Sequence, residues 1–314
     1  MAADDSPDED SIMSPEQTEQ FIQILAQGLA TPQRTPILKR PDEVGLEYED
    51  VFFPALDGVP LEGWFIPAKS NRLVICNHFG PANRQGYPGH LSGYPASNGI
   101  EVDFLPKYKA LHDAGYNVLA YDLRNHGLSA SANGGISGVG LIEWRDVIGS
   151  LRYAKARPET AGMEVSLQSL CIGCNSTLVA MRKHPEQFEH VRSFIALQPV
   201  VGGSLIDLSC QAMGITGGVE LFEPVFHQMT GFRVAEYDMR AYAKDIRVPT
   251  MVAQLKDDVI TRQSDIQAIY DGIPVEDKKL LWIEGSTIRH HGYTYFSEHP
   301  ESMIEWYDAH SSKS

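Results

Sequence analysis

The run Val165-Ser-Leu-Gln-Ser-Leu-Cys-Ile-Gly-Cys-Asn-Ser176 puts a cysteine where a strand-like segment gives way to a helix-like one. Its centre, Ser169-Leu170-Cys171-Ile172-Gly173, has the layout small–x–nucleophile–x–glycine. A sharp strand-to-helix turn needs small neighbours, because the central residue is strained and its backbone crowds the residues two positions away. Such a turn holds the Cys171 side chain at the C-terminal edge of a sheet and at the start of a helix. The helix dipole and the unpaired N–H groups there favour the thiolate. A thiolate attacks an acyl carbon and forms a thioester, which water, alcohols or thiols can then cleave. The other cysteines carry blander readings. Cys174 is one helical turn on and Cys76 sits in an apolar run, so both read as packing residues; Cys210 is uninformative. A Cys171–Cys174 redox pair is the minor alternative. No second C-x-x-C and no suitably spaced His pair completes a metal site, so neither metal nor cofactor is expected.

Elements that could position this turn follow along the chain. Ser14-Pro15 reads as an N-cap with proline at the first helical position, and Phe21, Ile22, Leu25 and Leu29 form an apolar stripe, predicting a helix from about Pro15 to Gly28. Residues 32–41 read as linker and the acidic residues 1–12 as disordered. From Glu47, two β-rich runs flank Asp57-Gly58, the signature of a hairpin turn. Strands are expected at 73–76, 116–121, 164–169, 191–197, 250–255 and 280–284, and helices at about 104–113, 140–157, 172–182, 262–271 and 300–308. Alternation of this kind predicts a mostly parallel α/β sheet with helices on both faces and right-handed crossovers. Residues 200–245, rich in Gly and Met, are expected as a small lid whose Met213, Phe222 and Phe226 wall an apolar pocket. The long segment Gly80–Gly99 is expected at the pocket rim, with Arg84, Tyr87 and Tyr94 toward a polar end of the substrate.

In residues 47–310 the chain resembles the α/β-hydrolase superfamily. The elbow is similar to that of members carrying Cys in place of Ser, such as dienelactone hydrolases. Asp122-Leu-Arg124-Asn-His126-Gly127-Leu-Ser129 resembles the family's D-x-R-G-x-G-x-S segment, and Asn77-His78-Phe79-Gly80 its oxyanion segment. The resemblance implies an eight-stranded α/β-hydrolase domain over residues 47–314, preceded by residues 1–46 as tail, helix and linker. It implies a nucleophile–acid–base order along the chain, filled by Cys171, Asp257 and His291. Asp258 is the alternative acid. His290 is the alternative base, beside His291-Gly292-Tyr293, which resembles the H-G-F of the dienelactone-hydrolase-like branch. The N–H groups of Phe79 and Ile172 would form the oxyanion hole. His126 and Asp122 would brace a loop, and His78 would shape the oxyanion segment at the substrate pocket.

Composition narrows the partners. The 314 residues carry a net charge of −15, which argues against nucleic acid and against anionic membrane surfaces. No run of 18 apolar residues spans a bilayer, the N-terminus lacks a secretory pattern, and four cysteines make no disulfide framework. A cytoplasmic protein acting on a small molecule with an apolar part is expected, as monomer or homodimer. Three functions stay open: a Cys-dependent hydrolase of a small ester, lactone or thioester; an acyltransferase or lactone-forming cyclase of secondary metabolism; and a non-catalytic binding member of the fold.

Overall fold

The structure is a computed structural model and describes residues 13–94 and 98–312, so the expectation for residues 1–12 lies outside the described residues. Ten strands are described: β1 (Glu49–Pro54), β2 (Pro60–Ile66), β3 (Arg72–Asn77), β4 (Gly86–Pro88), β5 (Glu101–Asp103), β6 (Asn117–Tyr121), β7 (Glu164–Leu170), β8 (Val191–Leu197), β9 (Thr250–Leu255) and β10 (Lys278–Ile283). The α-helices are α1 (Pro15–Ala30), α2 (Leu105–Asp113), α3 (Trp144–Ala156), α4 (Ile172–Lys183), α5 (Gly202–Gln211), α6 (Gly218–Thr230), α7 (Arg240–Ala243), α8 (Gln263–Gly272), α9 (Arg289–Glu298) and α10 (Glu301–His310).

Eight strands form one sheet in the order β1-β2-β6-β3-β7-β8-β9-β10. β1, β2 and β6 pair antiparallel, through the predicted Asp57-Gly58 hairpin, and the remaining pairs are parallel. Strand alternation sends neighbouring residues to opposite faces. In β3, Leu73 and Ile75 join the core under α3, α4 and α8, while Val74 and Cys76 join the core under α2, α9 and α10. Both faces are therefore dry, which explains why the central strands read as continuous apolar runs rather than alternating ones.

A third, smaller core lies over the C-terminal edge of the sheet. The stretch expected to be an irregular lid contains α5, α6 and α7, and its Ile206, Cys210, Phe222 and Phe226 pack against Ile22, Ala26 and Ala30 of α1. The helix α1 begins with the predicted cap: Ser14 Oγ accepts from the Gln17 N–H at 3.2 Å, and the Gln17 side chain accepts from the Ser14 N–H at 2.8 Å. The apolar stripe seen in its sequence thus faces the cap helices. The segment after β3 also differs from the expected open loop. It contains β4, which pairs with β5, and Asn83, Arg84, Gln85 and Tyr87 are buried.

Candidate active site

Cys171 stands between β7 and α4 with φ 50° and ψ −110°, a conformation that costs a non-glycine residue on the order of 1–3 kcal/mol. Its backbone is fixed from both sides: its N–H donates to Leu197 O at 3.0 Å, and its carbonyl accepts from the Asn175 N–H at 2.8 Å. Gly173 explains the closeness of helix and sheet. A Cβ at that position would lie 2.6 Å from Asn77 O and 2.7 Å from His78 O, so only glycine lets α4 start against the end of β3. That contact brings the Phe79–Gly80 segment beside the first, unpaired N–H groups of α4.

The half-buried Cys171 side chain meets a cavity of about 270 Å³. Its walls include Leu25 and Leu29 of α1, Phe79 and Gly80 after β3, His126 after β6, Ser137 and Val139 before α3, Leu205 and Ser209 of α5, and Arg289, His290 and Tyr293 of α9. The carboxylate of buried Glu143 holds the wall before α3. It accepts from Ser137 Oγ at 2.8 Å and from the N–H groups of Gly138 at 2.9 Å and Gly140 at 2.8 Å. A larger open groove of about 560 Å³ lies at the opposite, N-terminal end of β7 and β8, away from Cys171.

The far wall departs from the expected acid–base pairing. Asp257 is exposed after β9, while Asp258 is buried. The Asp258 carboxylate is ion-paired with Arg289 and accepts from Gln254 Nε2 at 2.9 Å. Arg289 is buried and spends every donor group. Nη1 also reaches Thr261 Oγ1 at 3.0 Å, Nη2 donates to Gln198 O at 2.7 Å, and Nε donates to the Tyr293 hydroxyl at 2.7 Å. Tyr293 in turn lines the same cavity as Cys171. Burial pushes the Tyr293 pKa well above its usual range, so it stays a proton donor. The chain of contacts from Asp258 thus runs through an arginine to a phenol on the wall of the Cys171 cavity.

The helix register explains where the two expected histidines stand. Because α9 starts at Arg289, residues 289 and 293 share one face, residue 290 lies next to it, and residue 291 points away. His291 is exposed and hydrogen-bonds Ser286 Oγ through Nδ1 at 2.7 Å. His290 lines the cavity between the rings of Phe79, Tyr87 and Tyr293, with centroids 5.8, 5.8 and 5.7 Å away. Burial, with help from the Arg289 charge, lowers its pKa to about 4. The helix α9 itself has no strong signal in its sequence beyond this i, i+4 pair of Arg289 and Tyr293.

None of the six residues His78, Arg84, Tyr87, Met213, Phe222 and Phe226, expected in the pocket, lines this cavity. Arg84 is 2% exposed and ion-pairs with Glu62 at 2.7 Å and Asp122 at 2.8 Å, with its guanidinium over the Trp64 ring. These partners hold it away from the cavity. Met213 is exposed, and Phe222 and Phe226 line a separate pinch of about 20 Å³ inside the cap. Tyr87 packs behind the cavity wall, against Phe79 and His290. His78 is pinned between Phe79 O, which accepts from Nδ1 at 2.7 Å, and the Leu123 N–H, which donates to Nε2 at 2.9 Å. It ties the Phe79 segment to the loop after β6. In that loop Asp122 accepts from the N–H groups of Arg84 and Leu128, and His126 Nδ1 pairs with Arg124 O at 2.8 Å. Among the described residues no group of three or more His, Cys, Asp or Glu side chains could hold a metal.

No protein-family model matches the chain, and no curated protein matches it in sequence. Solved structures do match. The esterase Pf2001 of Pyrococcus furiosus superposes with a TM-score of 0.68 at 20% identity, over 90% of this chain and 99% of that one. The α/β hydrolase GrgF of a Penicillium species gives 0.56 at 17% identity, over 84% and 99%. A dienelactone hydrolase of Anabaena variabilis gives 0.53 at 13% identity, over 85% and 99%. The elbow at Cys171, the mostly parallel eight-stranded sheet with its antiparallel β1–β2–β6 edge, and these superpositions agree: this chain has an α/β-hydrolase fold.

Proposed function

We propose that the protein is an esterase-like enzyme in which Cys171 takes an acyl group from a small ester, lactone or thioester with an apolar acyl part. The observation that carries this reading is the strained backbone of Cys171 at the floor of a capped cavity. Strain of this kind persists only where the surrounding structure enforces it. Enforcing it on a cysteine at a helix start fits a nucleophile. The three superposing enzymes, an esterase, an α/β hydrolase and a dienelactone hydrolase, support an acyl-group chemistry on the same fold.

In the proposed mechanism the Tyr293 hydroxyl, which accepts from the Arg289 guanidinium, shares the cavity with the Cys171 sulfur. The thiolate attacks the acyl carbon, the N–H groups of Ile172 and Phe79 hold the oxyanion, and an acyl-Cys171 thioester results. The cap favours a substrate with its apolar part against Leu25, Leu29 and Val139. Water completes hydrolysis; a substrate hydroxyl in its place completes transfer or lactone closure. Four free cysteines fit a reducing, cytoplasmic setting.

A second reading, a non-catalytic binding protein, is favoured by one observation: the buried acid Asp258 is paired with Arg289 and not with a histidine. Intact mass after brief exposure to p-nitrophenyl butyrate separates the two. A butyryl adduct on the Cys171 peptide, absent from Cys171→Ala, supports the enzyme. Release of p-nitrophenol unaffected by Cys171→Ala would sink the nucleophile, and neither adduct nor release would favour the binding protein.

A further inference from the structure

A thioester on Cys171 needs a base to be discharged by water or an alcohol. With Asp258 committed to Arg289 and His291 exposed, the usual route to such a base is missing. The cavity wall opposite α9 supplies another imidazole. His126 is fully buried and lines the same cavity as Cys171. Its Nδ1 donates to Arg124 O at 2.8 Å, a carbonyl that can only accept, so the proton of the neutral ring is on Nδ1. Its Nε2 therefore carries a lone pair, and among the described residues that atom has no hydrogen-bond partner. It faces Gly80: a Cβ there would come within 3.5 Å of Nε2. Gly80 follows Phe79, whose N–H is a proposed oxyanion donor, so Nε2 sits beside the place where the thioester carbonyl would lie.

A buried, unpaired acceptor costs free energy unless something fills it. The ring cannot turn away, because Nδ1 is tied to the loop and the His78 ring packs against it edge-on with centroids 5.1 Å apart. His290 shares the cavity, but among the described residues it makes ring contacts and no hydrogen bond that would fix its tautomer.

We infer that His126 is the catalytic base that discharges the acyl-Cys171 intermediate. This rests on the acyl-cysteine reading above. Nε2 takes the proton of the incoming water or substrate hydroxyl as its oxygen bonds to the acyl carbon. The C–S bond then breaks and Cys171 leaves as thiolate. In the first turnover the leaving alkoxide takes its proton from solvent water. Thereafter the proton left on His126 goes to the leaving alcohol oxygen of the next ester, or to solvent where the leaving group needs none. Each later turnover with an alkyl ester thus begins and ends with Cys171 as thiolate and His126 as imidazolium.

The variant His126→Asn tests this. Its amide nitrogen replaces Nδ1 and keeps the bond to Arg124 O, while the Nε2 acceptor beside Gly80 is lost. The p-nitrophenolate leaving group needs no proton, so wild type and variant should both release one equivalent in a burst and carry the Cys171 adduct. Steady turnover of the variant should fall about 100-fold or more, with the adduct persisting. Hydroxylamine, which needs no base, should restore p-nitrophenol release in the variant. Turnover equal to wild type would overturn the assignment. So would a variant with wild-type circular dichroism but no burst, since His126 would then act before the thioester forms. If His126→Asn does not fold, His126→Gln is carried through the same assay with the same expected result. Absence of an adduct in wild type is the distinct failure: it removes the Cys171 reading itself.

Discussion

The turn after β7 and the start of α9 face each other across one cavity, and they are built by different means. At Cys171 the decisive features belong to the backbone: a positive φ, a carbonyl and an N–H bonded to neighbouring strand and helix, and Gly173 pressed to 2.6 Å of Asn77 O by hypothetical Cβ distance. At α9 they belong to side chains that choose partners: Arg289 takes Asp258, Gln198 O and Tyr293 at once. A backbone device tolerates little change of residue but announces itself by spacing. A side-chain device can exchange one cation for another while the fold stays, and the chemistry moves with it.

The sharpest way to break this comparison is at the buried ion pair. Removing one partner leaves an uncompensated charge, so Asp258→Asn and Arg289→Met should each cost about 3–5 kcal/mol in urea unfolding. The double variant Asp258→Leu with Arg289→Met should recover much of that loss, because an apolar pair has no charge to desolvate. Single variants within about 1 kcal/mol of wild type would show that the pair does not anchor α9.

The backbone side can be broken with one methyl group. Gly173→Ala puts a Cβ against Asn77 O and His78 O, at 2.6 and 2.7 Å, and both are backbone atoms of a central strand end. The start of α4 must then withdraw. We expect a stability loss of about 1–3 kcal/mol together with a slower acylation of Cys171. Unchanged butyryl labelling and unchanged unfolding would mean that the elbow tolerates a wider gap than its geometry implies.

What could be read from the sequence follows the same division. The sheet, its antiparallel edge and the Ser14 cap were legible because each is a local pattern: dry strands, Asp57-Gly58, Ser14-Pro15 before an apolar stripe. The elbow was legible as small–x–Cys–x–Gly. The stripe of α1 was visible too, but not that it would roof the cavity with Leu25 and Leu29, since nothing local names its partner. Arg84 looked like a substrate contact because its loop is long and polar; its burial depends on Glu62 and Asp122, 22 residues before it and 38 after it. The acid–base side was least legible. Whether position 290 or 291 enters the cavity depends on where α9 starts, and a one-residue change of register moves a side chain by about 100°.

His290 offers a way to sharpen the comparison by pH. Its folded pKa is about 4, lowered first by burial and then by Arg289 and His291, with Asp258 acting the other way. The unfolded value is near 6.5. As pH falls from 6.5 toward 4, the unfolded chain takes up this proton and the folded chain does not, so stability is lost across that window. His290→Gln removes the group. Between pH 6 and 5 the variant should therefore lose about 1 kcal/mol less than wild type in urea unfolding. Parallel pH profiles would mean that the imidazole is hydrated in the folded state.

The smallest effect is expected at the histidine whose sequence context looks most like a catalytic one. His291 is exposed, on the outer face of α9, with its Nδ1 bonded to Ser286 Oγ at 2.7 Å. Replacing it with Gln keeps a polar group near Ser286 and touches neither the cavity nor the Asp258–Arg289 pair. An exposed substitution of this kind stays within about 0.5 kcal/mol of wild type. Steady turnover of p-nitrophenyl butyrate should likewise change less than about twofold, against the far larger loss a catalytic base would give. A loss of about 100-fold or more with His291→Gln would mean that α9 rotates when substrate binds. The backbone of the elbow would then be the fixed half of the site and α9 the moving half.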